Sequence, residues 1–249
     1  MKGSYRLAIE TSTAIGAVSL GYGDRVLATR RLSEPRQHAR GFLPMLVELC
    51  RGNGALPRAI DMVFVSAGPG SFTGLRIGIT TARMLSLANG SRLVAVPTLD
   101  VIAQNALGPA EDDSSSAVPP PARVIALLDA KRGRAFAAPY SRRDDVYVPE
   151  SGPAEVEPGA FLSDQVERFG PSAVLGEGVL YHRDAVSASG AMVLPENFYF
   201  PRPEIVYRLG CRLAAEGRFA DRRSLTPVYV RPPEAEEKWM RRQVREPLR

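Results

Sequence analysis

A chain of 249 residues with 45% hydrophobic content can bury a large core, and its length suits one large domain or two of about 100 to 150 residues. The formal net charge of +5 comes from arginine-rich loops and a C-terminal segment holding Arg241, Arg242, Arg245 and Arg249, so attraction to nucleic acid or an acidic partner is permitted but not required. No apolar run approaches the ~18 to 20 residues that cross a bilayer, and Glu10 arrives before a signal core of ~7 to 15 residues can develop, which leaves a cytoplasmic, non-membrane protein as the expectation.

The chain opens as a β-meander, "YRLAIET", "AIGAVSLGYG" and "RVLATRRLS", punctuated by Gly16 and the cluster Gly21 to Asp24. From His38 to Cys50, Phe42, Leu43, Leu46, Val47, Leu49 and Cys50 recur at helical spacing until Gly52-Asn53-Gly54 stops the pattern. A strand at 62–65, a glycine-rich turn, a helix over 75–89, the strand "RLVAVP" and a short helix from Thr98 follow. The stretch "GPAEDDSSSAVPPP", 108–121, has loop composition, so a first subdomain is expected over 1–107 and a linker over 108–121. The second half restarts with "ARVIALLDA" and "RAFAAPY" and continues through "VYVP", a helix near 159–168, the strand "SAVLGEG" and a helix over 203–216. That gives a second subdomain over 122–224 and a tail over 225–249. Each half begins with strands around a short polar turn that follows an acidic residue, Glu10 or Asp129, which points to internal duplication.

The segment "SAGPGSFTGLRIGITTARMLSLA", 66–88, is glycine-rich, yet three familiar chemistries fail in it. A P-loop needs Lys and then Ser or Thr after its last glycine, and Gly74 is followed by Leu75-Arg76. The dinucleotide spacing breaks at Thr73, and a nucleophile elbow around Ser71 meets Pro69 where glycine is required. Two readings stay open: a tight turn whose Gly74 and Gly78 serve packing, or backbone amides at a helix start that hold an anion. Apolar residues cover more than one face of the following helix, Leu75, Ile79, Ala82 and Leu85 on one and Ile77, Met84 and Ala88 on another. The second face needs the preceding helix or another protein. The only histidines, His38 and His182, have no neighbour at metal-ligand spacing, and Cys50 and Cys211 form no CxxC pair, so no metal site and no catalytic residue is expected.

Together with "HARGFLPMLVEL", "VPTLD", "LLDAKRGRAFAAPY", "LGEG" and "PVYVRPPEAEEKW", these segments resemble, in order and over nearly the whole chain, the TsaB (YeaZ) family. The resemblance implies an α/β ASKHA fold, the actin, Hsp70 and sugar-kinase architecture of two similar subdomains. It implies a non-catalytic scaffold in forming threonylcarbamoyladenosine on tRNA, paired with a TsaD-like catalytic subunit, assisted by a TsaE-like ATPase and reaching tRNA through the complex. Pairing is implied to use the first two helices, which puts His38, Phe42, Met45, Leu46, Phe72, Arg76, Ile77, Thr81, Ala82, Met84 and Leu85 at the partner interface. On that basis, a charge at Ala82 or Met84 should weaken pairing and leave the fold soluble, and the same face suits a homodimer when the partner is absent. Nucleotide or anion contact is assigned to Glu10, Thr11, Ser12, Gly68, Gly70, Ser71 and Asp129. No cofactor is expected to bind tightly in this chain alone, with ATP or ADP placed at the complex interface. Glu10 stands where relatives commonly carry aspartate. The alternative is a stand-alone ATP-dependent phosphotransferase of the same fold. The tail, with Trp239 and its arginines, reads either as a contact to tRNA or as solvated chain.

Overall fold

A computed structural model describes residues 4–33, 38–108 and 119–230. The first half contains β1 (Tyr5–Glu10), β2 (Ala17–Tyr22), β3 (Arg25–Arg31), α1 (His38–Gly52), β4 (Ile60–Gly68), α2 (Phe72–Asn89), β5 (Arg92–Pro97) and α3 (Thr98–Asn105). The second contains β6 (Arg123–Lys131), β7 (Arg134–Arg143), β8 (Val146–Pro149), β9 (Ala154–Val156), α4 (Pro158–Phe169), β10 (Ala173–Leu175), α5 (Gly178–Tyr181), α6 (Arg183–Ala188), β11 (Met192–Val193) and α7 (Pro203–Ala215).

The two sheets repeat one topology. The first runs β3-β2-β1-β4-β5, and the second, read from its β8 edge, runs β8-β7-β6-β10-β11, with β9 extending the pairing on β7. In each, three antiparallel strands are followed by two that join in parallel beside the innermost one. This repetition is the duplicated α/β ASKHA fold, and it follows from the hydrophobic patterning. Strand β1 is central, so both its faces are covered. Leu7 and Ile9 point into one core with Phe42, Leu46, Leu49, Ile79 and Ala82 from α1 and α2, and Ala8 points the other way. That period of two divides the sheet's apolar residues between opposite helix layers. Helix α3 joins the halves. Leu99, Ile102 and Ala103 enter the core of the second half, and Val101 enters the core on the Ala8 side of the first sheet. Gln104 donates to Tyr147 O at 2.8 Å and accepts from Tyr147 N at 2.9 Å, satisfying backbone groups on the buried edge of β8 that no strand pairs.

The helix expected to close the second subdomain belongs with the first sheet. On α7, Ile205, Val206, Tyr207, Leu209 and Leu213 pack with Ala8, Met62, Phe64, Val94 and Val96. Gly210 lets the helix axis approach, since a Cβ there would collide with the Phe64 ring. The chain then stays on that subdomain: Ala220 N donates to Leu93 O, Val228 N donates to Ala67 O, and Leu225 is in the first core. The boundary at 224 therefore shifts, because the second subdomain ends before α7. Helical periodicity marks a buried face but does not say which sheet will cover it. Residues 109–118, most of the expected linker, and 231–249, with Trp239 and the tail arginines, lie outside the described residues.

Candidate functional site

The first turn of α2 is pressed into the β1–β2 turn. Ser71 caps the helix, accepting from Gly74 N at 3.3 Å, and its own amide donates to Ser12 O at 2.7 Å. A Cβ at Gly74 would overlap Thr11 O, one at Gly78 would overlap Thr11 Oγ1, and one at Gly70 would overlap Ser12 O. Gly68, at φ +110, faces Val228 O, which would lie 2.7 Å from an added Cβ. These glycines remove side chains where a helix and a hairpin share space. Because the cap extends the helix to Phe72, it begins three residues earlier than the apolar periodicity indicates.

Glu10 sits at the centre of this contact and is fully buried. One carboxylate oxygen accepts from Ser12 N at 2.6 Å and Ser12 Oγ at 2.5 Å, and the other accepts from Ser66 Oγ. Burial pushes the carboxyl up to about 7, with Glu177 adding to the rise and the Ser12 and Ser66 hydrogen bonds opposing it. Thr11, Ser12 and Gly68 are also buried, leaving Gly70 partly exposed and Ser71 exposed. This is a poor phosphate cradle. Both oxygens of the acid are committed within the protein, and the space beside the turn is filled by backbone. An ATP held wholly within this chain at Glu10 does not fit these residues.

Asp129, the last residue of the anion set, lies near the end of β6, and Glu177 acts electrostatically on both it and Glu10. Asp129 accepts from Lys131 N at 3.0 Å and pairs with Lys131 Nζ at 2.6 Å, and His182 Nε2 lies 3.4 Å away. Glu177 lies close enough to both groups for Asp129 to raise its carboxyl and Lys131 to lower it, with burial as the largest cause of a net rise. Lys131 also lies over the Tyr181 ring, 5.0 Å from its centroid. Asp129 was identified from the sequence. Glu177, Tyr181 and His182 were not placed with it, because they arrive from the short helix α5 and its cap, far along the chain.

The interface set divides between core and surface. His38 opens α1, but its side chain lies outside the described residues. Phe42, Met45, Leu46 and Ala82 point into the first core, with Phe42 only 1% exposed and Ala82 fully buried. A charge at Ala82 would therefore act on the fold, correcting the expectation that it would leave the fold intact. Ile77, Thr81 and Leu85 are half-buried, and Thr81 Oγ1 donates to Ile77 O within α2. The outward face is carried by Phe72, Arg76 and Met84. Met84 is 59% exposed, the Arg76 guanidinium lies 3.9 Å from the Phe72 ring centroid, and the Tyr229 ring, tilted by 31°, lies 5.5 Å from that of Phe72. Two exposed apolar residues are absent from the sequence-based set: Leu87, 64% exposed and one turn after Met84, and Leu43 on α1, 59% exposed. Helical spacing from Met84 was enough to find Leu87.

Among the described residues, no cluster of three or more His, Cys, Asp or Glu has metal-site geometry. No helix among them is long and apolar enough to cross a membrane.

Residues 26–190 match the family model described as TsaD, tRNA N6-adenosine threonylcarbamoyltransferase. The chain is 30% identical over 226 residues to the Escherichia coli tRNA threonylcarbamoyladenosine biosynthesis protein TsaB, covering 90% of this chain and 94% of that one. It is 27% identical to the Bacillus subtilis protein of the same name over 95% of this chain and 98% of that one. In three dimensions it is similar to a Pseudomonas aeruginosa crystal structure described as having similarity to peptidase YEAZ. The TM-score is 0.76 at 26% identity, covering 92% of this chain and all of that chain.

Proposed function

We propose that this chain, which belongs to the TsaB family of tRNA threonylcarbamoyladenosine biosynthesis proteins, serves that biosynthesis as a non-catalytic scaffold and activator of a TsaD-like catalytic subunit. The observation that carries this reading is the sealed Glu10. A phosphotransferase of this fold needs acidic groups free to organise a metal and a moving phosphoryl group, and here that acid is consumed by Ser12 and Ser66 under the first turn of α2. The glycine-rich segment then acts as a mount. It fixes α2 against the sheet and presents the helix's other side to a partner.

The docking surface in this reading is the outward face of α2, with Phe72, Arg76, Met84 and Leu87, joined by Leu43 of α1. Apolar side chains this exposed on a two-sided helix are what an interface core requires. The TsaE-like ATPase and tRNA meet the chain within the complex, in the cytoplasm, and ATP or ADP is held at the complex interface. In the partner's absence, the same face supports a homodimer.

The test is co-purification of a Met84→Glu/Leu87→Glu variant with the TsaD-like subunit of the native cell, alongside measurement of threonylcarbamoyladenosine in tRNA. Both positions are exposed, so the variant should keep its thermal unfolding midpoint, lose the partner at least tenfold and lower the modified nucleoside. Undiminished co-purification would sink the surface assignment.

A further inference from the structure

Away from Glu10, beside the C-terminal end of α2 and the start of β5, lies a concavity of about 410 Å³. Its volume is in the range of about 300 to 1,000 Å³ typical of ligand sites. The floor includes the buried serines Ser86 and Ser91, and the rim carries Arg92, Phe219, Arg222 and Arg223. The wall formed by residues 219–223 is held in place: Ala220 N donates to Leu93 O at 2.8 Å, bridging this segment onto β5. Asp221 shapes the following turn by accepting from Arg223 N at 3.1 Å.

The charge balance favours an anion. Three guanidiniums stand against the Asp221 carboxylate and roughly half a negative charge from the carbonyl end of α2. The aromatic component is also in place. Phe219 is 38% exposed, and the Arg92 guanidinium lies over its ring at 4.3 Å from the centroid. An exposed ring under an arginine, next to two more arginines, offers stacking for a planar base and charge-assisted hydrogen bonds for the adjoining phosphate. Isolated inorganic phosphate would use the arginines alone and leave Phe219 without a role.

We propose that this concavity binds RNA, with Arg92, Arg222 and Arg223 on the phosphodiester backbone and Phe219 stacking on an unpaired base. Identifying that RNA as tRNA rests on the function proposed above; the site itself rests on the pocket. Its lining shares no residue with the outward face of α2 proposed as the docking surface.

The experiment measures fluorescence anisotropy of a labelled tRNA transcript with the full-length chain across a salt series. It uses Arg222→Glu/Arg223→Glu, Phe219→Ala and, as a surface-charge control, Arg25→Glu/Arg30→Glu. Unfolding midpoints confirm that each variant is folded. The expected result is at least tenfold weaker binding for the Arg222/Arg223 variant, with a salt dependence shallower by about two phosphate contacts. Phe219→Ala, which changes no charge, should weaken binding about fivefold or more. Equal losses in the Arg25/Arg30 control would overturn the proposal, and so would unchanged binding by Phe219→Ala. A wild-type chain with no measurable tRNA binding would overturn it too. Co-purification with the TsaD-like subunit, run on the same variants, should be unaffected. A wild-type chain that binds tRNA but never the partner would count against the proposed function and leave this site standing.

Discussion

The β1–β2 turn and the β6–β7 turn occupy equivalent places in two sheets of the same topology, and they have been put to opposite uses. After β1, an 18-residue helix packs its glycines onto the turn, and Glu10 is enclosed by Ser12 and Ser66. After β6, the helix in the corresponding position, α5, has four residues. Gly178 makes the equivalent close approach, where a Cβ would lie 2.9 Å from the Leu127 carbonyl group, but Lys131, Arg132 and Gly133 stay at the surface with positive φ. The acid of this second turn is itself only 7% exposed, but it pairs with an exposed lysine and not with buried hydroxyls. Duplication supplied two potential phosphate turns. The length of the helix behind each decides whether the turn becomes core or remains surface.

The strongest way to break this contrast is Gly74→Ala. The added methyl has no room against Thr11 O, a backbone atom that can move only by distorting the strand end, so the helix-propensity gain of about 1 kcal/mol is overwhelmed. A net destabilisation of about 4 kcal/mol, read from urea unfolding, is expected. A neutral or stabilising effect would mean that α2 is not seated on the turn.

Next in size is the titration of Glu10. Its carboxyl is pushed up to about 7 in the fold from an ordinary 4.5. The folded state therefore holds a proton more readily than the unfolded one, and stability falls as pH rises through the window from about 4.5 to about 7. The full loss is on the order of 3 kcal/mol. Glu10→Gln should remove that slope, since the amide oxygen can accept from Ser12 and the amide nitrogen can donate to Ser66 Oγ. The variant should gain stability at pH 8 and change little at pH 4.5. Parallel pH profiles for the two proteins would show that Glu10 does not titrate in this window.

How much of this was legible in the sequence depends on whether a feature is local. The first three strands, both long helices of the first half and the β6–β7 hairpin follow from period and punctuation, because hydrophobic spacing and turn glycines act over a few residues. Strands β9 and β11 and helices α5 and α6 are too short to develop a period. The spacing of Phe42, Met45 and Leu46 announces a face to be covered without saying by what. Those residues face their own sheet, and Leu43 and Leu87 are left outside. The position of Glu10 was readable, but its burial was not. That required Ser66, which follows 56 residues later, and the glycines that let α2 close over it. Arg92 and Phe219 come from distant segments joined by one bridge at Leu93 and Ala220, so no motif spacing could have shown their stacking.

The smallest expected effect tests the other half of the contrast. Lys131 is exposed; its ammonium pKa is raised chiefly by the hydrogen bond to Asp129, and its side chain crosses the Tyr181 ring. Solvent screens such a pair, and holding a long side chain in one geometry opposes the Coulomb gain, so exposed pairs contribute from zero to about 1 kcal/mol. Lys131→Ala keeps the backbone donor that Asp129 uses and the positive φ of the turn, and removes only the ammonium and its stem. The unfolding free energy should change by less than about 1 kcal/mol, and the remaining difference from wild type should shrink as salt is added. A loss comparable to that from Gly74→Ala would show that the β6–β7 turn is as firmly built into the core as its counterpart. The two halves would then differ in sequence alone and not in use.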